Sequence, residues 1–160
     1  MSINNSINDD VFMNLSLLDT KSIEDCLSTL RKNNRVGLDQ LKSIFDLGVQ
    51  FYNKFQFKEA EMVFSAYASL NPYDHRGVGS LASIYLEQHK FSKALEALNI
   101  LKTYPTCDFD ETMLNISLCY YKLEQFTNSV ATHLIVRPES LSAFNVNRYN
   151  FLKKQLNPYF

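Results

Sequence analysis

The chain has 160 residues, of which 46% are hydrophobic and 21% are charged, and its formal net charge is −1. This length and composition are typical of one soluble globular domain with a substantial core. The near-zero net charge gives no electrostatic basis for binding nucleic acid or an anionic membrane. No apolar stretch reaches the ~18 residues of a spanning helix, and no secretory signal opens the chain. We therefore expect a soluble, cytoplasmic protein without membrane insertion.

Only four Gly and four Pro occur, which favours helices joined by short turns. Residues 1–20 open with an Asn/Ser/Asp-rich stretch, so we expect a flexible N-terminal segment there. A short apolar patch follows within it, at Val11, Phe12, Met13, Leu15, Leu17 and Leu18. Two interpretations of the patch stay open. It is either a helical turn that packs on the scaffold or on a second copy, or a loosely attached tail.

A first helix is predicted over residues 22–34, ahead of any repeat. Apolar residues recur there at helical spacing, at Ile23, Cys26, Leu27 and Leu30. Ser22 followed by Asp25 resembles a capping box, and Val36-Gly37 ends the helix. We expect this helix to cap the N-terminal end of a repeat array.

A unit of 34 residues then spans 41–74. Two small residues, Gly48 and Ala60, let two antiparallel helices approach closely, and the aromatic Phe51 and Phe64 fill the space beside them. Pro72 closes the unit. These types at these spacings are typical of a tetratricopeptide repeat, which cannot bury its apolar face alone. Matching residues recur 34 positions later in a second unit over 75–108, at Leu81, Ala82, Tyr85, Ala94 and Leu98.

A weaker third unit spans about 110–142. Ser129 takes the small position, and His133 stands where the first two units carry Phe64 and Leu98. We interpret this histidine as a core or edge residue and not as a metal ligand. Asp74 and Asp108 are predicted to cap the helices that follow them. An amphipathic closing helix is predicted at about 139–156, with its apolar face formed by Leu141, Phe144, Tyr149, Leu152 and Leu156.

The sequence thus predicts an all-α fold. We expect a tetratricopeptide-repeat solenoid of three helix pairs, with an N-terminal cap helix and a C-terminal capping helix, forming a single domain over 21–160.

Nothing in the sequence supports catalysis. The three cysteines, Cys26, Cys107 and Cys119, are widely spaced, and an odd number does not indicate a disulfide framework. The three histidines are likewise far apart, without the short fixed spacing of metal ligands. No phosphate-binding loop or nucleophile motif occurs. We therefore predict no enzyme activity, no cofactor and no metal site.

A partner-binding groove is predicted on the first helices of the three units, because these helices line the inner surface of such repeats. The expected groove residues share the inward positions of those helices: Phe45, Val49, Tyr52, Gly79, Ser83, Leu86, Leu114, Leu118 and Tyr121. The set is largely apolar and aromatic, and exposed apolar grooves mark partner sites. In the alternative interpretation these residues belong to a core that the N-terminal segment or a second subunit covers.

Three segments carry a family resemblance: Phe51-Tyr52-Asn53, Phe57 to Phe64, and Asn71-Pro72-Tyr73-Asp74 leading into Gly79-Ser80-Leu81-Ala82. They resemble the class II type III secretion chaperones, the SycD/LcrH-like translocator chaperones. The resemblance covers about 22–156. It implies a chaperone in the bacterial cytoplasm that holds a secreted hydrophobic translocator as an extended segment in the groove. It also allows a homodimer through the N-terminal region. A chaperone for a needle subunit, a generic repeat adaptor and an enzyme subunit with a diverged site stay open as alternatives.

Overall fold

The computed structural model describes the backbone of residues 19–33 and 36–160, and the side chains of residues 19–29 and 36–160. Over these ranges it contains eight α-helices, two short 3₁₀ turns and no strand, so the predicted all-α class is confirmed. Contacts divide the chain into two compact units, residues up to 84 and residues 85–160. From here on, the first and second unit are these two parts of the chain, and the 34-residue units of the sequence are called repeats. The single domain expected over 21–160 stays a prediction. The apolar patch expected between Val11 and Leu18 lies outside the described residues.

The helices are numbered here in chain order. The first unit holds three complete helices, α1 (Thr20–Asn33), α2 (Leu38–Asn53) and α3 (Phe57–Leu70), and the larger part of α4 (His75–Glu87). The second unit holds the end of α4, then α5 (Phe91–Leu101), α6 (Phe109–Lys122), α7 (Phe126–His133) and α8 (Ala143–Leu156). Two 3₁₀ turns flank α8, at Pro138–Ser140 and Asn157–Tyr159.

Helix α1 starts earlier than predicted. Its N-cap is Asp19, whose carboxylate accepts a hydrogen bond from the backbone N–H of Ser22 at 2.8 Å. Ser22 therefore lies inside the first turn, and the predicted capping box of Ser22 with Asp25 is wrong. The same hydrogen bond is the main reason why the pKa of Asp19 is lowered. The predicted packing role of α1 agrees with its contacts, because Ile23 and Leu27 are buried and α1 packs against α3.

Helices α2 and α3 pack at very short range. Phe64 is 1% exposed, and a Cβ atom added to Gly48 would lie 2.6 Å from its Cε1 atom. Phe51 and Ala60 are also buried. The predicted role of Gly48, to let the two helices approach closely, is confirmed.

A second close approach was not predicted. A Cβ atom on Gly77 of α4 would lie 2.9 Å from Cδ1 of Tyr67 and 3.1 Å from the Cα atom of Ala68. Gly77 therefore lets α4 come close to the end of α3. This glycine falls outside the repeat pattern that identified Gly48.

In the third repeat, hydrogen bonds between buried side chains and the backbone hold the two helices together. The Ser117 hydroxyl of α6 donates to the carbonyl of Ser129 at 2.9 Å, and the Ser129 hydroxyl of α7 donates to the carbonyl of Ser117 at 2.8 Å. Both serines are fully buried. His133 is 1% exposed and stacks on Tyr149 of α8, with ring centroids 4.2 Å apart. The interpretation of His133 as a core residue is confirmed.

The closing helix begins at Ala143, because Pro138–Ser140 form a 3₁₀ turn and the Ser142 side chain caps α8 by accepting from Asn145 N–H. Leu152 and Leu156 are completely buried. Phe144, however, is 70% exposed, so its assignment to the buried face is wrong. Leu141 precedes the helix.

Candidate functional site

A largely apolar cavity of about 150 Å³ opens on the first unit. It is lined by two residues of α2, one of α3 and two of α4: Val49, Tyr52, Phe64, Ser80 and Ser83. Val49 and Tyr52 are half-buried, and Ser83 is exposed. Three of the predicted groove residues therefore meet around one space, with small serine side chains on one wall and apolar or aromatic side chains on the other.

A second cavity, of about 380 Å³, lies at the start of α2. Its lining mixes apolar and charged side chains: Leu38, Asp39, Leu41, Lys42, Phe45, Asp46, Tyr67, Asn71 and Arg76. Phe45, also a predicted groove residue, packs against Tyr67 with ring centroids 5.1 Å apart. The Arg76 guanidinium lies over the Phe45 ring, 4.9 Å from its centroid. Such a contact combines cation–π attraction with packing of the arginine stem.

A hydrogen-bonded group fixes Arg76 beside this second cavity. Arg76 donates from Nη2 to Asp74 at 2.6 Å and to the Tyr67 hydroxyl at 3.1 Å, and Tyr67 donates to Asp74 at 2.6 Å. Asp74 also caps α4, as predicted, by accepting from the backbone N–H of Arg76 at 2.9 Å. The Arg76 hydrogen bond holds the pKa of Asp74 well below its usual range and raises the pKa of Arg76 in turn. Burial is the main reason why the pKa of Tyr67 is raised.

The remaining predicted residue of the first unit is Gly79 on α4. It is half-buried, and its carbonyl accepts a hydrogen bond from the Ser83 hydroxyl at 3.1 Å. Gly79 lines neither of the two cavities described here.

In the second unit the predicted residues differ in their exposure. Leu86, Leu118 and Tyr121 are half-buried. Leu114 is completely buried, so its side chain belongs to the core and offers no surface to a partner. The Tyr121 hydroxyl donates to Gln155 Oε1 of α8 at 3.3 Å, so this tyrosine already contacts the closing helix. A continuous row of groove residues along the repeats stays a prediction.

Most residues that line these cavities were not among the predicted groove residues, and Tyr67, Asn71 and Ser80 are examples. Ser80 carried a usable signal, because residues three apart on a helix share a face and Ser83 was already predicted. Tyr67 and Asn71 lie at the end of α3, the second helix of the repeat, and the inward positions were counted on first helices alone.

The cysteine thiols and acidic side chains of the described residues give little support to metal binding or nucleophilic catalysis. Within residues 19–33 and 36–160, no cluster of three His, Cys, Asp or Glu side chains is placed to hold a metal ion. Burial raises the pKa of the Cys119 thiol to about 12, so this group stays protonated at neutral pH and is a poor nucleophile.

In the described part of the chain, no helix is both long and apolar enough to cross a bilayer.

No model of a known protein family matches the sequence, and no curated protein is significantly similar to it. Twenty solved chains are similar in fold, and the following are two of them. The Yersinia enterocolitica type III secretion translocator chaperone SycD aligns with a TM-score of 0.68 at 14% identity, over 82% of this chain and 92% of SycD. The MamA RS-1 ArsTM double mutant aligns with a TM-score of 0.58 at 15% identity, over 95% of this chain and 96% of that one. These likenesses confirm the predicted tetratricopeptide-like fold.

Proposed function

We propose that this chain is a cytoplasmic chaperone of a bacterial type III secretion system, which binds a secreted protein of the translocator type and keeps it soluble and competent for export. The observation that carries the proposal is the apolar cavity of the first unit, where Val49, Tyr52 and Ser83 come together. The similarity in fold to SycD, which is a translocator chaperone, supports the same proposed function. The proposed role is binding, without catalysis.

The cavity suits a single apolar side chain of an extended segment. Successive side chains of an extended chain point to opposite sides, so every second one can enter a pocket on a groove wall. Burying one Leu-sized or Met-sized side chain contributes about 1.5–3 kcal/mol. The aromatic ring of Tyr52 beside the cavity is the type of group that dominates such interfaces. Leu86, Leu118 and Tyr121 of the second unit stay predicted contacts of the same client.

Such binding would explain how a chaperone protects its client. A hydrophobic translocator exposes apolar segments before it reaches a membrane, and exposed apolar patches promote aggregation. Covering one such segment in a groove removes it from water until export.

The test fills the cavity from its exposed side. Ser83→Phe places a ring at the cavity without removing a buried side chain, because Ser83 is exposed. Ser69→Phe is the matched control: Ser69 is an exposed serine of α3 whose hydroxyl, like that of Ser83, bonds the carbonyl four residues earlier. Each exported protein encoded beside this chain's gene is co-expressed with the wild-type or variant full chain, and its soluble yield and copurification are measured.

We expect one exported protein to become soluble and to copurify with the wild-type chain and with Ser69→Phe. Ser83→Phe should weaken that complex about tenfold or more while its melting temperature stays near that of the control. Equal binding by both variants would move the client site away from this cavity. If no exported neighbour is solubilised, the secretion role itself is wrong.

A further inference from the structure

A group of aromatic side chains, one exposed and two half-buried, lies where α2 turns into α3. We name it the aromatic corner and define it as Tyr52, Phe55 and Phe57. The Phe57 ring contacts the other two: its centroid lies 5.7 Å from that of Tyr52 and 6.0 Å from that of Phe55. Phe55 is 78% exposed. Two exposed lysines, Lys54 and Lys58, directly precede Phe55 and follow Phe57 in the sequence.

Phe55 occupies a backbone position that disfavours it. Its φ is 58°, in the left-handed region. Two hydrogen bonds, from Gln56 N–H to the Phe51 carbonyl at 2.9 Å and from Phe55 N–H to the Tyr52 carbonyl at 2.9 Å, form the helix-ending turn that usually carries glycine at this position. A bulky residue with positive φ is strained. In water, the exposed Phe55 ring gains little to offset that strain.

The same turn recurs in the other two repeats with polar residues. His89 has a φ of 56° and Glu124 a φ of 60° at the corresponding positions. Only the first of these three turns carries a fully apolar side chain. An apolar residue that is strained and exposed in one repeat, where its counterparts are polar, indicates a surface that another segment covers.

The chain itself holds a segment of suitable chemistry within reach. Residues 1–18 contain no Lys or Arg, and Asp9-Asp10 immediately precede the apolar Val11-Phe12-Met13. This order of charge and apolar side chains complements the lysines and rings of the corner. The first described residues lie close to the corner. The Thr20 hydroxyl donates to Glu59 Oε1 at 3.3 Å, and Glu59 lies in the first turn of α3 together with Phe57. Nine residues of extended chain span about 30 Å, so the segment reaches the corner easily.

We propose that residues 9–18 dock on the aromatic corner of the same chain, with their apolar side chains against Phe55 and Phe57 and with Asp9 and Asp10 near Lys54 and Lys58. Tyr52 belongs to the corner and also lines the apolar cavity. The docked segment therefore reaches the edge of that cavity, where the corner shares Tyr52 with the proposed client site, whereas Phe55 and Phe57 do not line the cavity.

Amide hydrogen exchange of the full-length chain, followed by mass spectrometry of peptides that cover residues 9–18, tests the proposal. The key variant is Phe55→Asn, since asparagine tolerates positive φ and Phe55 is too exposed to support the core. The matched control is His89→Asn, the same change at the corresponding turn of the second repeat. We expect exchange at 9–18 to be slowed in the wild type and in His89→Asn, and to speed up about tenfold or more in Phe55→Asn.

Three outcomes overturn the proposal. If residues 9–18 of the wild type exchange at the rate of an unfolded chain, they are not docked. If they stay protected from exchange in Phe55→Asn, they dock on another surface. Protection that rises with protein concentration, together with a dimer in sedimentation, makes a second copy the occupant. Replacing Lys54 and Lys58 together by Glu should also speed exchange at 9–18, and unchanged exchange would remove the electrostatic part of the argument.

Discussion

The substitution Gly48→Ala separates intrinsic helix preference from packing at the centre of the first repeat. In an exposed helix, this change stabilises by about 1 kcal/mol, because glycine is a poor helix former. Here the new methyl group would lie 2.6 Å from Phe64 Cε1 and 2.8 Å from its Cζ. Carbon atoms pack comfortably at about 3.5–4.0 Å, so the ring would have to move by about 1 Å.

The ring has little freedom to move. Phe64 is 1% exposed, and the Phe45 ring lies 5.5 Å away. Overpacking of this kind costs about 1–3 kcal/mol, which exceeds the helix gain. We therefore expect Gly48→Ala to lower the free energy of unfolding by up to about 2 kcal/mol, and the melting temperature by up to about 8 °C.

Urea unfolding of four chains checks this account: the wild type, Gly48→Ala, Phe64→Leu and the double variant. Leu98 holds the position corresponding to Phe64 in the second repeat, so leucine suits this kind of site. In the Phe64→Leu background the facing ring is gone, and Gly48→Ala should become neutral or stabilising. A Gly48→Ala chain that is more stable than the wild type, or two substitutions whose effects simply add, would refute the close-packing argument.

Two further predictions concern the second unit. Burial, with a smaller contribution from Lys153, lowers the pKa of His133. The imidazole therefore binds a proton more readily in the unfolded chain, and the stability of the folded chain should fall as the pH drops below about 6.5. His133→Leu should abolish that part of the pH dependence of urea unfolding. Removing residues 140–160 takes away the buried Leu152 and Leu156 and should cause aggregation or loss of cooperative unfolding, whereas a soluble, monodisperse and fully helical truncation would exclude a capping role for α8.

The repeat spacing was sufficient to predict the helix pairs and their contact. Gly48, Ala60 and Phe64 follow from steric requirements that any such pair must meet, and all three are buried as required. The start of α1 could not be predicted in the same way. Asp19 and Ser22 are both good N-cap residues three positions apart, and local preference does not choose between them. The structure places the cap at Asp19.

The candidate site was predictable only where one helix face decides it. Val49, Tyr52 and Ser83 were identified by position and do meet at a cavity. Leu114 met the same positional rule and is buried, because α5, α7 and α8 all pack against α6 and leave most of its residues inside. Periodicity identifies the apolar positions of a helix. It does not say how many neighbouring helices cover them.

The third repeat departs from the pattern at Ser129 and His133, and the two departures have different physical consequences. Ser117 and Ser129 replace the close packing of small residues by two reciprocal hydrogen bonds, so their buried hydroxyls are satisfied. His133 gains a stacked ring in Tyr149, yet neither ring nitrogen has a hydrogen-bond partner among the described residues. A buried polar group without a partner costs about 1–3 kcal/mol. The serine pair therefore preserves the repeat at little cost, whereas His133 makes the contact between α7 and α8 the point where acid should first weaken the second unit.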